Sequence, residues 1–146
     1  GNDDAIVADL TTPFTVDTPL GKVSRHFVGA LLGHWAVWTR NAVQLHAQCR
    51  RAVLDGTIPL ALLSKGMEVT DCNAAFFDVA NGFKGCIAGI HEVLRRQGLL
   101  EGIWCLDPEE TLSHGQTEEI DRVYRAYPEL NDDPFIAEHL DEWLRA

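Results

Sequence analysis

The sequence predicts an α/β chain that is itself mostly α-helical. Three observations carry this reading. About six segments place apolar residues at helical spacing, at most three short runs look like strands, and all of those runs lie before residue 34. So few strands cannot close on themselves and leave unpaired edges, so helices must supply most of the buried surface.

Each element follows from local chemistry. Ala5, Ile6, Val7, Ala8 and Leu10 read as a short helix that Asp3 or Asp4 caps, and Thr11-Thr12-Pro13 stops it. Phe14 and Val16 alternate with polar residues, as does the run from Val23 to Phe27. Asp17-Thr18-Pro19-Leu20-Gly21 between them supplies turn residues, so a β-hairpin over 14–27 is predicted. Phe27 to Leu32 is a continuous apolar run ended by Gly33. It has the texture of a strand buried on both faces, with an early helix start as the competing reading. From Trp35 to Leu54 the period turns helical, with Ala42, Leu45, Cys49 and Val53 on one stripe and Asp55-Gly56 as the stop.

Beyond Pro59 three helical segments are predicted. Leu60, Leu63 and Met67 share a face in the first. Thr70 or Asp71 caps the second, which ends at Asn81-Gly82. Lys84 to Gln97 forms the third, burying Ile87, Ile90 and Leu94 before Gly98. Ser113-x-x-Gln116 reads as a capping box worth about 1 kcal/mol, opening a helix on which Ile120, Val123, Tyr124 and Tyr127 align. Asp133-Pro134 places a cap and a proline at the start of the last helix, whose stripe is Ile136, Leu140, Trp143 and Leu144.

The net charge of −10 resides entirely in residues 101–146, because acidic and basic residues balance over 1–100. An acidic surface repels nucleic acid and anionic membrane, so neither is an expected partner. Cys49, Cys72, Cys86 and Cys105 stand far apart with no C-x-x-C, which suits reduced thiols and a cytoplasmic protein. No apolar run approaches the ~18 residues a membrane helix needs.

The candidate chemical groups are sparse. His34-Trp35 follows the apolar run 27–32, at the rim where loops hold ligands, and His34 is a candidate substrate contact. His91-Glu92 begins like H-E-x-x-H, but Arg95 fills the second ligand position and a zinc site fails. His26, His46, His114 and His139 form no metal spacing, and no metal or cofactor is expected. Trp38, Trp104, Trp143, Phe76 and Phe77 read as core, since no basic residues interleave with them. Lys65 ends one helix and Lys84 opens another. An imine lysine needs an amine depressed by desolvation or nearby positive charge. Lys84 opens an apolar helix and Lys65 sits where the helix dipole favours any cation, and neither is read as catalytic.

The stretch from Asn81 to Leu112 carries a further signal: Lys84, then Gly98-Leu99, then Leu106-Asp107-Pro108 leading to Leu112-Ser113. With Gly1-Asn2-Asp3 and Phe27-Val28-Gly29-Ala30-Leu31 ahead of it, this order resembles the C-terminal part of the dihydrodipicolinate synthase / N-acetylneuraminate lyase family. Those enzymes are class I aldolases on a (β/α)8 barrel. On that resemblance, Gly1-Asn2-Asp3 matches the end of strand seven, Phe27–Leu31 matches strand eight, and residues 57–146 match the appended C-terminal helices. Residues 1–56 would then be the end of the barrel. The hairpin over 14–27 lengthens the connection between strands seven and eight. Gly29 replaces a branched aliphatic, Trp104 a frequent basic residue, and Asn81-Gly82-Phe83 an Asn-Pro.

The resemblance implies a lyase that takes pyruvate or another 2-oxo acid through a lysine imine, within a homo-oligomer, either dimer or tetramer. The imine lysine and its relay tyrosine would lie upstream of Gly1, leaving no catalytic residue in these 146. Asn2, Asp3 and Gly29 would face the substrate, joined by His34 at the rim. The alternative is a non-catalytic acidic helical module for binding or assembly.

Overall fold

A computed structural model describes residues 5–30 and 33–145, without the side chain of His34. The chain is mostly helical: α1 (Ile6–Thr11), the ribbon β1 (Phe14–Thr18) and β2 (Gly21–Arg25), then α2 (Thr39–Asp55), α3 (Leu60–Phe76), α4 (Cys86–Arg96), α5 (Gln116–Ala126) and α6 (Asp133–Trp143). Two 3-10 turns, Gly33–Ala36 and Val79–Asn81, precede α2 and α4.

The hairpin forms where predicted. β1 and β2 run antiparallel with Phe14 opposite Arg25 and Thr18 opposite Gly21. Thr18 Oγ1 donates to the Gly21 carbonyl and accepts from the Leu20 amide, which closes the turn. The predicted strand at Phe27–Leu32 is not found: residues 27–30 pair with no strand, and Leu31 and Leu32 lie outside the described residues. Phe27 and Val28 are 55% and 76% exposed. A buried strand needs ladder partners on both sides, whereas among the described residues β1 and β2 pair with each other alone, and Val28 O is engaged by a histidine ring.

The core gathers one stripe from each long helix. On α2 it is Ala42, Leu45, Cys49 and Ala52, with Val53 only half-buried. Gly56 ends this helix in the left-handed conformation (φ 65°), which its missing Cβ permits. α3 runs unbroken through the predicted stop. Thr70 Oγ1 donates back to the Gly66 carbonyl from within the helix, and Leu62, Gly66, Val69, Cys72 and Phe76 keep one buried face throughout. Leu60, Leu63 and Met67 do share a face, and it is the exposed one. α3 packs against α1, α4 and α5, and joins residues from both parts of the chain in one cluster.

Three other expectations change. Trp104 is 63% exposed, and Trp143 and Leu144 are also exposed rather than core. Ile87 is exposed while Ala88 and Val93 are buried, so the inward face of α4 is rotated from the predicted one. At α6 the cap lies one residue earlier, at Asp132, with Asn131 Oδ1 accepting the Asp133 amide at 2.6 Å.

Candidate functional site

The residues marked as substrate-facing divide. Asn2 and Asp3 lie outside the described residues. Gly29 and His34 belong to one short connection: Gly29 in the irregular stretch 26–30, His34 in the 3-10 turn Gly33–Ala36. A Cβ at Gly29 would meet nothing within 4 Å, so the backbone there is openly presented.

Two anchors hold this connection. Phe27 packs edge-on against Phe14 of the ribbon, with centroids 4.7 Å apart. His46, on α2, has Nε2 2.8 Å from Val28 O. A carbonyl only accepts, so Nε2 carries a proton and donates it to Val28 O. Trp35 meets the same imidazole edge-on at 6.1 Å. Spacing marked His46 only as failing a metal pattern; its Val28 partner lies 18 residues away, which no local pattern reveals.

Trp38 fixes the far end of the connection. It is 1% exposed, has φ +52°, and meets Phe76 and Tyr124 edge-on at 4.9 and 5.0 Å. The chain thus enters α2 through a left-handed turn clamped by three aromatic rings.

A polar hub joins the end of α3 to the starts of α4 and α5. Asp78, buried at φ +57°, accepts from Asn81 Nδ2 (2.6 Å), the Gly85 amide (2.9 Å) and Ser113 Oγ (2.5 Å). Gln116 reaches back to the Ser113 amide, which is one half of the predicted capping box. The Ser113 hydroxyl makes the other bond to Asp78 rather than to its own helix. Gln116 Nε2 also donates to the carbonyls of Ala75, Phe76 and Gly85.

Ionisable groups here mainly stabilise the fold. Burial alone would raise Asp78, but its bonds from Asn81, Ser113 and Gly85, with Lys84 nearby, hold it below the usual range. Glu92 follows the same balance, with Arg95 and Arg96 outweighing burial, and Arg122 lowers Asp71 directly. A carboxylate lowered on folding adds stability above its unfolded pKa of about 4 and loses it as pH falls through the folded value. Burial raises Asp132, so its contribution has the opposite sign: present in acid and lost as pH rises. Through the lowered carboxylates of Asp71, Asp78 and Glu92, melting temperature followed by circular dichroism should fall below about pH 4. A flat profile down to pH 3 would contradict these assignments.

The lysines and thiols offer little nucleophilic chemistry. Lys84 is exposed on the turn before α4. Lys65 lines a cleft of about 350 Å³ between α2 and α3, beside Arg51 and Asp55. Burial pushes Cys49 to about 11 and Cys72 to about 12, so neither forms thiolate readily. Among the described residues no group of three or more His, Cys, Asp or Glu is placed to hold a metal ion, and no helix is long and apolar enough to cross a membrane. Compared with family models, with curated proteins and with solved structures, the chain finds no match.

Proposed function

We propose that this chain is the C-terminal part of a lyase of the dihydrodipicolinate synthase / N-acetylneuraminate lyase type, acting in the cytoplasm as a homo-oligomer on pyruvate or another 2-oxo acid. Imine chemistry would use a lysine outside these residues. The observation that supports this most is the apolar stretch Phe27–Gly29, exposed and paired with no strand, ahead of the 3-10 turn that leads to α2. A strand-like sequence with an uncovered apolar surface, followed by a helix, is what an α/β barrel would cover with its neighbouring strands. Gly29 and the His34 turn would then stand at the rim, where barrel enzymes bind substrate.

The test is borohydride trapping with pyruvate, performed on the protein as its gene encodes it and located by peptide mass. The expected adduct lies on a lysine outside residues 1–146, and the isolated 146 residues give neither adduct nor turnover. An adduct on Lys65 or Lys84 would overturn the site assignment. Its absence from the whole gene product would favour the other reading, a non-catalytic assembly module. That reading draws on the uncovered ridge Leu60, Leu63 and Met67 of α3.

A further inference from the structure

A cleft of about 510 Å³ opens between the start of α2, the end of α4 and α6. Its apolar surfaces come from Leu94, Leu99 and Ile136 together with Val43, Phe135 and Trp143. This size and lining match a small-molecule site, in which a few polar groups fix orientation.

The polar groups are unequal. Asp132 is buried, and its oxygens are engaged: Oδ2 accepts the Arg40 amide at 3.0 Å and Oδ1 accepts Gln97 Nε2 at 2.9 Å. Gln97 Nε2 also donates to Asp133. The Arg40 guanidinium is exposed at the cleft and lies over the Phe135 ring, 4.4 Å from its centroid. Phe135 is itself backed by Trp143 at 5.7 Å and His139 at 4.7 Å. Arg51, Arg95, Arg96 and Arg122 all pair with carboxylates, whereas Arg40 makes no ion pair among the described residues. It is also the second residue of a 17-residue helix, where the macrodipole disfavours a cation. An oriented cation beside an apolar cleft is complementary to an anion carrying an apolar body.

We infer that this cleft binds a small carboxylate with a ring- or alkyl-bearing body, its acid group on Arg40 and its body against Val43, Leu99 and Trp143. The site is independent of imine chemistry. Its test therefore uses 3-phenylpropionate, which has no oxo group, so the result stands apart from the lyase reading.

Two-dimensional NMR of the 146-residue chain reads the indole signals of Trp35, Trp38, Trp104 and Trp143. 3-Phenylpropionate should move the Trp143 signal saturably and leave Trp104 still. The neutral isostere 3-phenylpropanamide should bind at least about tenfold more weakly, as expected when a charge-assisted bond is lost. Arg40→Gln should reduce the acid to the level of the amide, and Arg125→Gln, an exposed arginine on α5, should change nothing. Equal binding of acid and amide, full binding by Arg40→Gln, or shifts centred on Trp104 would overturn the inference. So would failure of both compounds to bind. A dimer by light scattering that Val43→Asp converts to monomer, with neither compound bound, would identify the cleft as an interface between copies instead.

Discussion

Gly89→Ala should cost about 3 kcal/mol or more of folding stability, the upper end for an overpacked core. A Cβ at Gly89 would lie 2.0 Å from the Phe76 carbonyl oxygen and 2.6 Å from Gln116 Nε2. The first obstacle is backbone at the last residue of α3, so no rotamer change relieves it. α4 must move away from α3, and that movement pulls on the amide of Gln116, which spans Phe76 and Gly85. The cost is therefore steric strain plus buried hydrogen bonds left unmade. Urea denaturation of wild type and variant measures it. A loss under about 1 kcal/mol would mean that the helices pack less closely than described.

Trp38→Ala should destabilise by about 3–5 kcal/mol, the range for deleting a buried aromatic. Trp38 is almost fully buried and joins Phe76 on α3 to Tyr124 on α5 through two edge-on contacts. Truncation leaves a cavity where three helices meet. Its φ of +52° supplies a control: Trp38→Gly removes the same ring but relieves the left-handed strain of a residue with a Cβ. The glycine variant should therefore unfold at slightly higher denaturant than the alanine variant. The reverse order would show that backbone strain at this turn is negligible.

Much of the architecture was legible because it depends on neighbours in sequence. α2 and α5 followed from apolar spacing, the hairpin from alternation around Thr18-Pro19-Leu20-Gly21, and the start of α6 from Asp133-Pro134 to within one residue. Misreadings arose where distant partners decide. Thr70 looks like a cap in isolation, but its hydroxyl donates back to Gly66 and the buried face of α3 runs straight past it. Phe27–Leu32 has strand composition, yet a strand exists only beside another strand. Trp104 is exposed because the irregular segment after α4 carries it along the surface, which hydrophobicity does not foretell. The candidate site was legible only as a connection bearing Gly29 and His34. Its anchor His46, and the bonds that tie the hub together through Ser113 and Gln116, span 18 to 41 residues.

The ribbon of β1 and β2 also bears on how this chain behaves when concentrated. Two strands make a sheet with two outer edges, and each edge offers backbone donors and acceptors to any passing strand. Three features discourage such growth: strands of only five residues, prolines at 13 and 19 flanking β1, and charge at Asp17, Lys22 and Arg25. Protection of this region therefore rests on charged side chains along the strands and on brevity rather than on coverage. High salt screens the first of these, and strand-to-strand association would begin at the ribbon.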